Sequence, residues 1–273
     1  MPKTMTAKQN RIHPTAIVSK EAELEAGVEI GPYCLVGPQV HLGVGTQLAS
    51  HVVLDGQTRI GRNCRLFTGV CIGSPAQTRK SETVRSSVVI GDDNIFREYV
   101  TVNASMTAGA KTVIGDRNTL MINAHVAHDC QLGSDIVIAN AVALAGHVAV
   151  EDAAVIGGLT GVHQFVRIGK LAMVGGLSKV VMDVAPFSIC DGHPARYHGA
   201  NVVGLRRAGV PSAQITRIKT ALNILLATRH NLSRQAPKVS KTYKGDKDIQ
   251  TILSFIERSK RGVARGSAAE NED

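Results

Sequence analysis

The sequence predicts a mainly β fold: a parallel β-helix of hexapeptide repeats, followed by a small α-helical C-terminal domain. Three observations support this prediction. Aliphatic residues recur at every sixth position over most of the chain. Aromatic residues make up only 3% of the 273 residues, with no Trp, so we expect a thin interior filled by Ile, Val, Leu and Ala. After Pro186 the six-residue period stops, and helical spacing appears from Asn201.

The repeat keeps one phase from Ile12 to Val180. Of its 29 positions, 26 are Ile, Leu or Val, and the exceptions are Thr78, Phe96 and Ala108. A helix has a period of about 3.6 residues and a plain strand a period of about 2, so neither fits. A period of six is typical of the hexapeptide β-helix, in which each hexad forms one short strand and its corner. We therefore assign residues 12–187 to the β-helix and residues 1–11 to an N-terminal extension.

The fourth position after each aliphatic residue is small or β-branched. Three of the five cysteines, Cys34, Cys64 and Cys130, occupy this position, so we interpret them as small interior side chains. Three hexads close one triangular coil. Residues 18 apart should therefore stack on neighbouring coils, about 4.8 Å from each other.

Two polar stretches interrupt the repeat, roughly at Ser74–Ser87 and Asn103–Lys111, and we expect both to loop out. In a regular scaffold, irregular loops are where function concentrates. The flat faces of the prism favour association with closed cyclic symmetry.

The pattern after the repeat predicts a linker and a helical domain. Ser188–His198 lacks period six and contains Gly192-His193-Pro194, so we interpret residues 188–200 as a linker. Residues 201–265 should form the helical domain, and residues 266–273 a disordered tail. Its predicted apolar stripes are Ile215, Ile218, Leu222 and Leu225, then Ile249, Ile252, Leu253 and Ile256.

The net charge of +9 lies almost entirely in the C-terminal part. Residues 201–273 contain 14 Lys and Arg against 6 Asp and Glu. Such a region is either a solvated helical face or a docking surface for an acidic partner. Nucleic acid is disfavoured because no zinc-finger or RNA-binding motif is present, and an acidic carrier protein fits at least as well. No apolar run reaches the length of a membrane span and no secretory signal opens the chain, so we expect a cytoplasmic protein.

The histidines indicate where chemistry occurs. By the 18-residue rule, His128 stacks under Gly146 and Gln164, and Asp129 stacks under His147. His125 and His163 lie near the same edge of the coils. An adjacent carboxylate is the usual means of holding an imidazole in one tautomer as a general base. The Gly146 N–H could stabilise an oxyanion one coil away.

No Ser or Cys stacks with His128, which favours direct attack by a hydroxyl or amine over a covalent acyl-enzyme. Two other classes stay open. One is a zinc enzyme of the γ-carbonic-anhydrase type, although its usual His-x4-His pair is replaced here by His125-x2-His128. The other is a non-catalytic β-helical scaffold, which would have no reason to gather four histidines. We predict no metal and no other cofactor.

The segments MINAHVAHDC, ALAGHV, GGLTGVHQF and NVVGLRR resemble the acyl-carrier-protein–UDP-N-acetylglucosamine O-acyltransferases that begin lipid A synthesis. The resemblance covers essentially the whole chain. It implies a left-handed helix, a homotrimer, transfer of a fatty acyl group, such as a 3-hydroxyacyl group, to the sugar 3-hydroxyl, and acyl carrier protein and a UDP-sugar as partners.

The resemblance also implies residue roles. His128 would be the general base, Asp129 its orienting acid and Gly146 the oxyanion donor, with Arg206 contacting the carrier protein. Gly176 would set acyl-chain length, with Met173 beside it. The other implied substrate contacts are Lys80, His125, His147, His163, Gln164, Asn201 and Arg207.

Two positions depart from the family pattern. Thr78 and Val203 stand where family members often have acidic residues, both on the nucleotide-sugar side of the site. Their absence motivates an alternative acceptor, a UDP-amino-sugar that would give an amide instead of an ester.

Overall fold

The computed structural model describes residues 9–78, 86–227 and 231–266. In these residues the chain forms a long series of short strands, followed by four α-helices. The strands are Arg11–Ile12 (β1), Ile17–Val18 (β2), Glu23–Leu24 (β3), Glu29–Ile30 (β4), Leu35–Val36 (β5), Val40–Leu42 (β6), Gln47–Leu48 (β7), Val53–Leu54 (β8), Gln57–Ile60 (β9), Arg65–Leu66 (β10), Cys71–Ser74 (β11), Ser87–Ile90 (β12), Ile95–Phe96 (β13), Thr101–Asn103 (β14), Lys111–Ile114 (β15), Thr119–Leu120 (β16), His125–Val126 (β17), Gln131–Leu132 (β18), Val137–Ile138 (β19), Ala143–Leu144 (β20), Ala149–Val150 (β21), Val155–Ile156 (β22), Gly161–Val162 (β23), Arg167–Ile168 (β24), Met173–Val174 (β25), Lys179–Val180 (β26), Ser188–Gly192 (β27) and Ala195–Ala200 (β28). The helices are Val202–Arg207 (α1), Ser212–Leu222 (α2), Leu232–Thr242 (α3) and Lys247–Glu257 (α4), and a π-helical segment, Asn223–Ala227, follows α2.

The strands form three sheets that make the three faces of a prism, and all their pairings are parallel except that of β27 with β28. An eleven-stranded sheet begins at β1, a nine-stranded sheet begins at β2, and an eight-stranded sheet begins at β3. Each strand from β1 to β23 pairs with the third strand further along the chain, as in Val126 with Leu144 and Leu144 with Val162. The predicted coil of three hexads, with an 18-residue repeat, is therefore confirmed.

Both interruptions of the repeat preserve its phase, although residues 79–85 of the first lie outside the described residues. Ile60 pairs with Ile90 instead of with the position of Thr78, so two extra hexads are inserted between β11 and β12. Ile90 pairs with Ile114 instead of with the position of Ala108, so one extra hexad is inserted between β14 and β15. Because both insertions are whole hexads, the aliphatic phase continues across them. Thr78 and Ala108, two of the three exceptions to the repeat, lie in these insertions.

From β4 to β26 the interior is filled as predicted, mainly by aliphatic side chains that point inward. Ile72, Leu120, Ile138 and Leu144 are all fully buried, and Phe96 fills the one described aromatic position of the repeat. Burying such a side chain stabilises the fold by about 1.5–3 kcal/mol. Cys34, Cys64 and Cys130 are likewise fully buried and unpaired.

Residues 188–200 are not a linker, and this part of the prediction is wrong. β27 joins the eleven-stranded sheet parallel to β25, and β28 returns antiparallel to β27. His193 and Pro194 form the turn of this hairpin, between the paired residues Gly192 and Ala195. The six-residue period is lost because an antiparallel hairpin makes no further coil. The hairpin instead closes the end of the prism.

The C-terminal helices pack on that end. Both predicted stripes are buried or half-buried, and Phe255 joins the second, with the Arg167 guanidinium 4.1 Å from its ring centroid. Neither stripe indicated α3, which is mostly polar and contains Pro237. None of the helices in the described residues is both long enough and apolar enough to span a bilayer.

The chain ends differ slightly from prediction. Arg11 already pairs with Glu29, so the first strand begins one residue before the predicted boundary. Gly266, predicted to begin a disordered tail, donates its N–H to the Leu226 carbonyl at 2.9 Å. Residues 1–8 and 267–273 lie outside the described residues.

Candidate active site

A cleft of about 510 Å³ lies over the nine-stranded sheet and the corner that follows it. It collects three of the four predicted histidines. Its lining residues are Gln77, His125, Ala127, His128, Ala143, Leu144, Ala145, Gly146, Gly161, Val162, His163, Lys179, Val180 and Val181.

His128 and Asp129 form a hydrogen-bonded pair at the corner after β17. The distance from His128 Nδ1 to Asp129 Oδ2 is 2.8 Å, and the two side chains are only 18% and 9% exposed. A neutral imidazole that donates from Nδ1 leaves Nε2 as an acceptor. The pair therefore holds the ring in the tautomer that a general base requires.

Gly146 lies directly against the His128 ring. A Cβ on Gly146 would lie 2.4 Å from His128 Cε1 and 2.6 Å from Nε2, closer than any real side chain approaches. Only glycine therefore leaves the ring in place. Within the described residues no acceptor meets the Gly146 N–H, so this donor is available beside the acceptor nitrogen of His128.

The Asp129 carboxylate is held in place by residues of the second insertion, between β14 and β15. Its carboxylate accepts hydrogen bonds from the Ser105 hydroxyl and, at 3.2 Å, from the Met106 N–H. Burial acts to raise the pKa of Asp129, but the hydrogen bonds from Ser105, His128 and Met106 outweigh it and lower the pKa below its usual value. The carboxyl group is therefore ionised at neutral pH.

Ser105 is a site residue that the sequence reasoning missed. Val102 pairs with Val126 across the second insertion, so Ser105 is the stacking equivalent of Asp129 on the preceding coil. The 18-residue rule fails there because the insertion lengthens that coil by one hexad. Stepping back by four hexads from Asp129, instead of three, would have found it.

His147 contacts the pair from the next coil. Its ring meets the His128 ring edge-on, with centroids 5.2 Å apart, and its Nε2 lies 3.8 Å from Asp129 Oδ2. Phe165 stacks on the other side of His147, with centroids 4.6 Å apart and an interplanar angle of 11°. The sequence analysis overlooked Phe165, although it occupies the stacking position directly above His147 on the following coil.

His125 and His163 line the cleft two coils apart, together with the small residues Ala143 and Gly161. His125 Nδ1 lies 2.7 Å from the Thr101 hydroxyl on the preceding coil. Burial, and secondarily His128, lower the pKa of His125, which favours the neutral ring. Gln164 is exposed at the corner, beyond the cleft lining.

No cysteine among the described residues is placed to act as the nucleophile in the cleft. Cys130 follows Asp129 in sequence but points into the core, where burial raises the pKa of its thiol to about 12. Ser105, the nearest described hydroxyl to Asp129, is itself buried and donates to that carboxylate. The arrangement suits direct attack by a bound acceptor.

The same corner could also hold a metal ion. One ligand atom each from His128, Asp129 and His147 lie within 4.8 Å of one another. Zinc bound through His128 Nδ1 would have to displace the Nδ1 proton, which donates a hydrogen bond to Asp129. The three side chains as they stand are arranged for proton transfer.

The remaining predicted residues lie away from the cleft lining. Asn201 is 7% exposed and caps α1, since its Oδ1 accepts from the Gly204 N–H and its Nδ2 donates to the Leu171 carbonyl. Arg206 and Arg207 are exposed in the last turn of α1. Met173 belongs to the eleven-stranded sheet, and Gly176 to the corner on the far side of the nine-stranded sheet. Lys80 lies outside the described residues.

Two protein-family models match the chain. One is described as UDP N-acetylglucosamine O-acyltransferase, domain 2, and matches residues 183–264. The other is described as the GMPPB C-terminal domain and matches residues 12–122. The acyl-[acyl-carrier-protein]–UDP-N-acetylglucosamine O-acyltransferase of Alkalilimnicola ehrlichii is 44% identical over 154 residues, which are 56% of this chain and 60% of that protein. The chain thus spans 60% of the length of this curated relative.

Solved structures match over much more of the chain. LpxA from Acinetobacter baumannii is 36% identical, with a TM-score of 0.89 over 93% of this chain and 99% of that one. The chain belongs to the UDP-N-acetylglucosamine O-acyltransferase family. The UDP-N-acetylglucosamine acyltransferase LpxA from Bacteroides fragilis is 33% identical, with a TM-score of 0.90 over 93% of this chain and all of that one. The predicted fold class, a left-handed parallel β-helix with a small helical C-terminal part, is therefore confirmed.

Proposed function

We propose that this chain transfers a fatty acyl group from acyl carrier protein to the 3-hydroxyl of UDP-N-acetylglucosamine, the first step of lipid A synthesis. The names of its relatives support the acyl donor and the acceptor. The observation that carries the mechanism is the position of His128 between Asp129, which accepts a hydrogen bond from Nδ1–H, and Gly146, which leaves the Nε2 edge open.

The reaction proceeds in two steps without a covalent intermediate on the protein. His128 Nε2 accepts the proton of the sugar hydroxyl as its oxygen bonds to the thioester carbonyl carbon, and the Asp129 carboxylate stabilises the imidazolium that forms. The Gly146 N–H donates to the resulting oxyanion. When the oxyanion collapses, the C–S bond breaks and the imidazolium returns its proton to the leaving thiolate.

We assign the histidines around this centre to substrate contacts. His125 and His163 line the cleft on both sides of the reacting atoms, and His147 and Gln164 extend its rim. We assign Met173 and Gly176 to contacts with the acyl chain. Lys80, Asn201 and Arg207, which are not among the residues that line the cleft, are assigned to contacts with the substrates. We further propose a cytoplasmic homotrimer, in which a neighbouring subunit brings such residues to the cleft.

The proposal is tested by mass spectrometry of the product formed from a mixture of acyl-carrier donors, with UDP-N-acetylglucosamine and its 3-amino analogue as competing acceptors. An alkali-labile ester on UDP-N-acetylglucosamine is expected. Faster formation of an alkali-stable amide would show that the acceptor is the amino-sugar, as the departures from the family pattern at Thr78 and Val203 suggest. No acyl product from either acceptor would refute acyl transfer.

Elemental analysis separates the proposal from zinc catalysis at the same corner. We expect less than a stoichiometric amount of zinc per chain and full activity after dialysis against a chelator. One zinc per chain, with activity lost on chelation and restored by zinc, would assign His128, Asp129 and His147 to a metal centre instead.

A further inference from the structure

Lys179 supplies the only formal charge among the described residues that line the cleft. The other lining residues are histidines, a glutamine, glycines, alanines and larger aliphatic residues, and none is acidic. Lys179 itself is exposed, and within the described part of the chain it forms no ion pair with an Asp or Glu. A cation without a carboxylate partner at the edge of a cleft is suited to an anionic ligand.

The sheet register leaves open space in front of this lysine. Ala143, Gly161 and Lys179 follow one another on successive coils of the nine-stranded sheet. A Cβ on Gly161 would meet nothing within 4 Å, so the floor between the lysine and the histidines is an open trough. The four-carbon stem of Lys179 can lie along this trough.

We propose that Lys179 binds a phosphate group of a substrate at the end of the cleft away from His128. This inference rests on the proposed function, in which both substrates contain phosphate: a phosphodiester on the pantetheine arm of the donor, and a diphosphate in the acceptor. An ammonium group binds phosphate as a point charge, through one or more charge-assisted hydrogen bonds.

The spacing favours the phosphodiester of the donor. Lys179 lies two coils along the axis and three positions across the sheet from Gly146, a separation of about 14 Å between Cα atoms. The pantetheine arm between sulfur and phosphorus has as many backbone bonds as four or five extended residues, so it spans about 14–16 Å. With its sulfur at Gly146, the arm reaches Lys179 along the trough.

Steady-state kinetics of Lys179→Met test this assignment, with Lys179→Arg as the variant that keeps the charge and Lys111→Met, on the eight-stranded sheet, as the matched control. We expect Lys179→Met to raise KM for acyl-phosphopantetheine about tenfold with little change in kcat, because the contact is made equally in the ground and transition states. With acyl-pantetheine, which lacks the phosphate, the wild type and the variant should have the same KM. Lys179→Arg should restore most of the affinity.

Each outcome assigns or removes the phosphate site. A rise in KM for the UDP-sugar alone would keep the site and assign it to the acceptor diphosphate. An unchanged KM for both substrates, in an active enzyme, would overturn the inference while the proposed function stands. Calorimetric binding of phosphopantetheine against pantetheine gives a readout that does not depend on turnover. Equal affinity of the two for the wild type would contradict a donor site even if no acyl transfer were found.

Discussion

The two halves of the nine-stranded sheet have the same kind of side chain on the inward face and different kinds on the outward face. The inward row is aliphatic throughout, from Val18 and Val36 to Val162 and Val180. The outward row is not uniform. In the coils of residues 11–74, here called the lower coils, it reads Ile17, Leu35, Val53 and Cys71. In the coils of residues 87–192, here called the upper coils, it reads Thr101, His125, Ala143, Gly161 and Lys179.

This difference indicates that the repeat determines the inward-facing residues of the scaffold and does not constrain the type of residue on its outward face. Ile17 and Leu35 are 69% and 44% exposed, so large apolar side chains form part of the outer face of the lower coils. The upper coils have small or titratable residues at the equivalent positions, and their floor is open. The two insertions lie where the apolar outward row of the lower coils ends and the outward row of the upper coils begins. The second insertion supplies Ser105 to the site.

Replacement of His128 should give the largest contrast between the two regions. Without its general base, His128→Ala should lose about 10²–10⁴ in kcat while keeping its thermal midpoint within a few degrees. His51→Ala, at a corner of the lower coils where its ring contacts Tyr33, is the control and should retain activity. Near-normal turnover of a folded His128→Ala protein would remove His128 from the mechanism.

Gly146→Ala should have the next largest effect. The new methyl group would overlap the His128 ring, so the ring must move by about 1 Å, a displacement that can cost on the order of 10²-fold in rate. Gly161→Ala adds the same methyl group to the floor of the trough, where it would meet no protein atom within 4 Å and would leave the His128 ring in place, so its single-turnover rate should fall less than tenfold. Equal losses in the two variants would mean that contact with His128 is not what requires glycine at position 146. Stopped-flow measurement of single-turnover rates compares them directly.

How far the sequence predicted the molecule follows from the same contrast. Inward positions determine the fold and repeat every six residues, so the prism, the places of the two insertions and the stacking of His128 on Gly146 could be predicted without coordinates. The hairpin of residues 188–200 could not, because an antiparallel return strand leaves no periodic signature. Ser105 could not be placed either, because its stacking partner depends on the length of an insertion that the unbroken phase conceals.

In the C-terminal part, too, periodic features could be predicted from the sequence and individual hydrogen bonds could not. Apolar stripes correctly predicted the buried faces of α2 and α4, since helices pack through such stripes. The side-chain amide of Asn201 forms two hydrogen bonds, from Nδ2 to the Leu171 carbonyl and from the Gly204 N–H to Oδ1. No spacing in the sequence indicates those contacts. A resemblance can assign such a residue to a substrate, but it does not show that its amide already has partners.

Ser105→Ala should have a smaller effect, about tenfold in kcat, because the carboxylate of Asp129 loses one hydrogen bond of about 1.5–3 kcal/mol but keeps those from His128 and Met106. Thr107→Ala, in the same loop, is the matched control. Asp129→Asn should abolish most of the effect of Ser105→Ala, since the two act through one contact. Additive losses in the double variant would instead make Ser105 a purely structural residue.

The smallest expected effect concerns the pH dependence of stability. The pKa of Asp129 is lowered in the folded chain, so its contribution to stability is fully present above the pKa of an unfolded Asp, about 3.9, and is lost as pH falls through the lower folded value. The thermal midpoint of the wild type should therefore exceed that of Asp129→Asn by a nearly constant margin between pH 5 and 7, and by less below pH 4. Ser105→Ala should move the point at which this margin shrinks to higher pH, because it removes one cause of the lowered pKa. Calorimetric scans at fixed protein concentration measure these midpoints. A margin that stays constant down to pH 3, in both backgrounds, would show that the carboxylate of Asp129 gains no stabilisation from the loop of the upper coils.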